Sequence, residues 1–327
     1  MRLKLVFLLT LGMSLQYLSQ TKLDALLIQA ETKSKQKRFA ESLTLYNTVI
    51  DSGLKTANIF FQRGLVKFQL KSDEEAIKDF DKSLEMDPTN IEAYYHRGLS
   101  KFYLKNYQGA IVDFNITINL KRDYANAFVF RGASYFSLAK DKECVDDETQ
   151  AIQLNPKNVN AYYYRALARF QLKDNAGVIE DMSRALKLKQ FYEYYYYRGL
   201  SHYNLKDYAN AKADYTKVIL AKSNYAPAYY ERALCFIREG DDDKAIKDFS
   251  KTLDLKPDQP KAYYYRGLSK KYKNDTLGSC NDLKKAVELG FEKANDELIK
   301  LNCLPAINSE ESKVISDSTT QINKTSE

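Results

Sequence analysis

The 327-residue chain has no tryptophan, only two histidines, four cysteines, six prolines and twelve glycines. Gly and Pro together fall well below ordinary usage, which excludes collagen-like and Pro/Gly-rich disordered chains and favours helix. His96 and His202 are far apart in sequence and cannot pair as metal ligands on one helix face. The glycines are isolated, so there is no Gly-rich phosphate loop, and no nucleophile motif occurs. Asp241, Asp242 and Asp243 follow Gly240 as a helix start, where acidic residues need no calcium. These absences exclude a recognisable enzyme and imply no cofactor and no metal. Long apolar runs are missing too, except Leu5 to Leu18 behind Arg2 and Lys4, with Ser14 or Ser19 as small residues before a cleavage point. Residues 1–20 thus read as a signal peptide, too short and interrupted for a membrane span, and no integral span is expected in the mature chain.

What the chain has in excess is tyrosine: 26 residues, beside 16 Phe. The basic and acidic residues, 50 and 43, are interspersed, as on a solvated helical surface, which is weak support for nucleic acid. The length exceeds the roughly 250–300 residues that one core serves, so several domains or a stack of repeats is required.

A repeat is present. Arg followed by Gly or Ala recurs at Arg63, Arg97, Arg131, Arg165, Arg198, Arg232 and Arg266, with spacings of 34 residues except for 33 between Arg165 and Arg198. Sixteen residues after each stands Asp79, Asp113, Asp147, Asp181, Asp214, Asp248 or Asp282. Each copy holds two helical patterns, such as Ala93 to Leu104 around Gly98 and Gln108 to Leu120 with Ala110, Ile111 and Phe114 on one face. Such a hairpin cannot bury its face alone, whereas stacked copies can. Pro88, Pro156 and Pro257 mark joints between copies. Thirteen of the tyrosines lie in the three residues before an Arg, so the excess belongs to the first helix.

The pattern resembles the tetratricopeptide repeat. Its early aromatic is filled by Phe60, Tyr94, Phe128, Tyr162, Tyr195, Tyr229 and Tyr263, and its small residue by Gly64, Gly98, Gly132, Ala166, Gly199, Ala233 and Gly267. Its second-helix Ala appears at Ala76, Ala110, Ala211 and Ala245, and its later aromatic at Phe80, Phe114, Tyr215 and Phe249, departing to Glu148, Met182 and Leu283. A degenerate copy with Leu26, Ala30, Phe39, Tyr46 and Val49 precedes them. The resemblance implies an all-α, right-handed superhelical solenoid of helix hairpins, with eight repeats over 23–293 and a C-terminal capping helix over 294–304. A Ser/Thr/Glu-rich tail over 305–327 is expected to be disordered.

Two features depart from the family. The Leu usual before the small residue is Arg in all seven regular copies, and Arg near a helix seam requires a partner. The degenerate copy lacks both charges, having Gln29 and Leu45 in their slots. This predicts a ladder of structural ion pairs within repeats, including Arg97–Asp113, Arg165–Asp181 and Arg198–Asp214. The shortened spacing places a one-residue deletion in the joint near Lys189 to Glu193. The cysteines fill slots that are small or apolar elsewhere, so buried thiol is the default, and export would permit a disulfide only between Cys280 and Cys303.

In the family the first helices line a concave wall. At 100° per residue, positions between about 40° and 140° from the Gly form one strip. It carries Tyr95, Tyr163, Tyr196, Tyr230 and Tyr264 in one row and Leu99, Leu167 and Leu200 in the next, edged by Asn126 and Asn160. The carboxylate-clamp residues of chaperone-tail-binding members are absent. The expected function is a non-enzymatic scaffold, exported to the periplasm, cell envelope or extracellular space, holding a peptide or protein in a tyrosine-lined groove. The alternatives are a cell-envelope glycan module, since rings stack on sugars, or a single-stranded nucleic-acid binder if the chain is not exported.

Overall fold

A computed structural model describes residues 21–303. The expected signal segment and the tail from residue 305 lie outside the described residues. These residues form seventeen helices and no strand. The chain divides into two compact units, Met1–Asp174 and Asn175–Glu327. Unit one holds α1 (21–35), α2 (Phe39–Asp51), α3 (Ala57–Gln69), α4 (Asp73–Met86), α5 (Ile91–Tyr103), α6 (Tyr107–Leu120), α7 (Ala125–Ser137), α8 (Asp141–Leu154) and α9 (Val159–Gln171). Unit two holds α10 (Asn175–Leu188), α11 (Tyr192–Asn204), α12 (Tyr208–Ala221), α13 (Ala226–Arg238), α14 (Asp242–Leu255), α15 (Pro260–Tyr272), α16 (Thr276–Glu288) and α17 (Ala294–Lys300). Inside each unit a helix packs chiefly on its neighbours in sequence, as expected of stacked hairpins.

The turn inside each hairpin is made by one left-handed residue. After α5, Lys105 has φ +62° and donates its N–H to the Phe102 carbonyl at 2.9 Å, and Asn106 N–H reaches the Lys101 carbonyl at 2.8 Å. The Asn106 side chain then accepts from Gly109 N–H at 3.0 Å, so one residue both ends α5 and caps α6. The same backbone turn recurs at Lys71 and Ala139 in unit one and at Lys206, Gly240 and Asn274 in unit two.

The small residue after the Arg is a packing requirement. A Cβ on Gly98 would stand 2.7 Å from the Phe114 ring, so α5 and α6 approach as closely as they do only because none is there. In unit two the joint between α10 and α11 is 189–191, three residues, against four in the joint 222–225 between α12 and α13. The missing residue has been taken from the connection and both helices keep their full length. Cys280 on α16 is disulfide-bonded to Cys303, with 5.5 Å between their Cα atoms, and fastens the chain beyond α17. Cys144 and Cys235 are free and buried.

Candidate functional site

Six of the seven Arg–Asp pairs lie wholly inside one unit, and each is a two-pronged fork. In Arg63–Asp79, Arg97–Asp113, Arg131–Asp147, Arg198–Asp214, Arg232–Asp248 and Arg266–Asp282, Nε and Nη2 donate to the two carboxylate oxygens at 2.6 to 3.0 Å. The aspartates are buried, and every Arg of the seven lies over the ring three residues before it, at 5.3 to 5.9 Å. Arg165 and Asp181 belong to different units; Asp181 is fully buried.

Pairing confined to one repeat is only part of the arrangement. The remaining nitrogen, Nη1, reaches back to the second helix of the preceding copy: to Asn47, Asp81, Asn115, Thr149, Ser183, Thr216 and Ser250 from Arg63 through Arg266, at 2.6 to 3.1 Å. Each Arg of the six in-unit pairs therefore ties its own hairpin together and also ties it to the one before. The signal was in the sequence, since a hydrogen-bonding side chain stands two residues after each Asp from Asp79 to Asp248. After Asp282, the last in the series, the corresponding residue is Lys284. Within the six in-unit pairs a second cation adds to three aspartates: Lys67 at 2.9 Å from Asp79, Lys101 at 2.8 Å from Asp113 and Lys270 at 2.8 Å from Asp282. The hydrogen bonds that Arg198 donates to Asp214 raise the Arg198 pKa against the opposing effect of burial. Burial pushes Asp147 up although Arg131 opposes it.

The expected tyrosine groove needs correction. Tyr95, Leu99 and Leu167 in unit one and Tyr264 in unit two are buried, with 6 to 8% of their surface exposed. The reason is the seam between copies. The Tyr95 ring is inserted between Phe114 of its own hairpin, at 6.0 Å, and Tyr124 and Phe130 of the next copy, at 4.8 and 6.3 Å. Tyr264 lies against Phe291 at 5.0 Å and is packed with Leu298. Tyr163, Tyr196, Tyr230 and Leu200 are half-buried, and Tyr196 and Tyr230 lean on Tyr215 and Phe249 at 6.1 and 5.6 Å. Burial raises the pKa of Tyr95, Tyr196 and Tyr230, so all three hydroxyls stay protonated near neutrality. Asn126 and Asn160 are exposed, and Asn126 accepts from Asn158 at 3.4 Å.

Sequence reasoning missed the row immediately before each Arg: Gln62, His96, Phe130, Tyr164, Tyr197, Glu231 and Tyr265, all half-buried. At about 160° from the Gly it lies one step beyond the strip considered. Rings in this row lie flat on the aromatic of the preceding second helix: His96 on Phe80 and Phe130 on Phe114, both at 6.2 Å, and Tyr265 on Phe249 at 6.1 Å. His96 is thus enclosed by rings, and burial lowers its pKa. His202 sits 3.0 Å from Asp207. Among the described residues no three His, Cys, Asp or Glu side chains are grouped to hold a metal ion, and no helix is long and apolar enough to cross a membrane.

Comparison with known proteins follows the same lines. A family described as "TPR repeat" matches residues 57–104, and one described as "Tetratricopeptide repeat" matches residues 196–260. No curated protein matches the chain. Among solved structures, the C-terminal part of a TPR repeat-containing protein from Cytophaga hutchinsonii is similar with a TM-score of 0.61 at 17% identity, covering 72% of this chain and 97% of that one. A tetratricopeptide repeat protein from Parabacteroides merdae gives 0.53 at 17% identity, covering 75% and 98%. The Cut9–Hcn1 hetero-tetramer of the APC/C gives 0.51 at 14% identity, covering 85% and 55%. With its repeated helix hairpins and these matches, the chain is a tetratricopeptide-repeat protein.

Proposed function

We propose that this protein is an exported, non-enzymatic scaffold that holds a peptide or protein partner on the first-helix faces of its two units. Tetratricopeptide-repeat proteins in general mediate protein–protein interactions. The observation that carries the reading is the set of half-exposed rings, Tyr163 and Tyr164 in unit one and Tyr196, Tyr197, Tyr230 and Tyr265 in unit two, with exposed amides at Asn126, Asn160 and Asn204 beside them. Rings supply rigid contact area and amides meet main-chain groups of an extended segment. The groove is narrower than the sequence suggested, because the seam has taken Tyr95, Leu99, Leu167 and Tyr264. Glu193 and Glu231 on the face of unit two oppose a phosphate backbone.

Export is supported by Arg2, Lys4 and the apolar run that follows, and by the Cys280–Cys303 disulfide, which persists in an oxidising compartment. Mass analysis of the native chain should find its N-terminus beyond Ser19; a retained Met1 refutes the cleaved signal peptide. For the scaffold, a photo-crosslinking residue at Asn160 or Asn204 should capture one and the same partner in the host. At exposed Lys251 on the second helix α14 it should capture none. Equal capture from all three positions, or none from the first two, overturns the reading.

A further inference from the structure

The first-helix face of unit two contains a carboxyl that no described residue pairs with. Glu231 on α13 stands immediately before Arg232, in the row that holds rings at Tyr197 and Tyr265. In that row a ring lies over the aromatic of the preceding second helix, as Tyr265 lies over Phe249 with only 14° between their planes. For Glu231 the equivalent aromatic is Tyr215 on α12, which is fully buried and whose Oη has no hydrogen-bond partner. No described residue gives Glu231 an ion pair or a hydrogen bond, and burial alone pushes its carboxyl up to about 7. Its charge is felt by Tyr196, Tyr215, Tyr230 and Cys235: the pKa of each is raised, first by burial, and next by Glu231 in Tyr196, Tyr215 and Cys235, while in Tyr230 Tyr265 precedes Glu231.

The neighbouring charges are engaged elsewhere. Arg238, two turns along α13, donates Nε to Tyr203 Oη at 3.3 Å, and Lys212 is paired with Glu239. An acid in this position costs stability that a ring would not. Yet it is only half-buried, so a partner can reach it. A carboxylate bordered by tyrosine rings matches a cation in two ways: the charge pairs with it and the ring faces attract it. Burial makes the pairing stronger than at an open surface.

We propose that Glu231, with the rings of Tyr196 and Tyr230, receives the cationic side chain, Lys or Arg, of an extended peptide partner. This rests on the reading of the first-helix face as a peptide surface and names the chemistry of its ligand. The cation needs the ionised acid, whereas the free protein holds Glu231 about half protonated near neutrality. Binding therefore tightens about tenfold from about pH 6 to about pH 8, the range over which the carboxylate fraction rises by that factor. Tyr196, Tyr215, Tyr230 and Cys235, whose pKa values burial raises, stay neutral over this range, and Arg238, whose pKa the Tyr203 hydroxyl raises, stays charged.

The test is selection of a random hexapeptide phage library on the immobilised full-length protein, in parallel with Glu231→Gln, Glu239→Gln and Arg238→Gln. The wild type should enrich Lys or Arg at one fixed position. Glu231→Gln should lose that preference, and Glu239→Gln and Arg238→Gln should keep it. A synthetic peptide from the wild-type pool should bind about tenfold more weakly to Glu231→Gln at about pH 8, with no pH dependence left. Enriched peptides that lack a fixed basic residue but compete with crosslinking from Asn204 overturn this inference and leave the scaffold standing. A basic position that appears only with Arg238→Gln shows that Arg238 already fills the site, and also overturns it. Failure to enrich any peptide overturns both.

Discussion

Arg131→Met should cost far more stability than Arg97→Met, although both remove the same rung of the same ladder. Both rungs lie in unit one and both arginines are about equally covered, with 18% and 17% of the side chain exposed. What differs is what stays behind. Met at 131 leaves the Asp147 carboxyl, 5% exposed, with no cation, because the slot that holds Lys101 in the previous copy is Tyr135 here. Breaking a buried pair from one side costs about 3–5 kcal/mol. Met at 97 leaves Lys101 at 2.8 Å from Asp113, and the other orphan, Asp81, is 46% exposed and open to solvent. The loss there should be about 1–2 kcal/mol, near that of a hydrogen-bonded charge pair partly replaced. In an array whose stability is a sum over neighbours, the difference of about 2 kcal/mol should appear directly in urea unfolding followed by far-UV circular dichroism. Asp147→Leu added to Arg131→Met should restore part of the loss, because it removes the stranded charge. Equal losses at 97 and 131, or strict additivity of Arg131→Met with Asp147→Leu, would refute the reasoning.

Glu148 is fully buried in the slot that is aromatic in four of the other regular copies, neither carboxylate oxygen has a partner, and burial first, then the nearby Asp147, raises its pKa well above 4.5. Its raised value means wild-type stability is fully present below about pH 4.5 and falls as pH climbs through the folded pKa. Glu148→Met should add about 1–3 kcal/mol near neutrality and flatten that slope, as calorimetric melting across the pH range would record. Gly98→Ala should destabilise by about 1–3 kcal/mol in urea titration, since the new methyl meets the Phe114 ring at 2.7 Å. Ala139, held at φ +55°, should gain about 1 kcal/mol as Ala139→Gly, read in the same titration. Cys280→Ser opens a link spanning 23 residues and should cost up to about 3 kcal/mol, seen as faster hydrogen exchange confined to α16 and α17.

The repeat was legible because it rests on short-range rules that seven copies state together. The period, the Gly that admits a ring, the Asp sixteen residues on and the one-residue deletion in a joint are each fixed by hairpin geometry. The backward reach of each Arg could also have been read, because a side chain with a hydrogen-bond acceptor follows every Asp by two residues until Lys284, a donor only, ends the series.

The face was harder to read, for a physical reason. A helical wheel gives the direction of a side chain from its own axis and says nothing about how far a neighbouring helix covers it. Tyr95 and Tyr196 share one wheel angle, yet the first is 7% exposed and the second half-buried. Two aromatics of the next copy, Tyr124 and Phe130, close over Tyr95. Over Tyr196 only Tyr225, at 5.4 Å, remains, because Phe130 has been replaced by Glu231 in the equivalent place. Exposure at one residue is thus set by the identity of another, one repeat later in the chain. The substitution that partly uncovers Tyr196 is the same one that sets an unanswered carboxyl beside it. The ring and the acid become available to a ligand together, and a survey of either row alone would not reveal the pair.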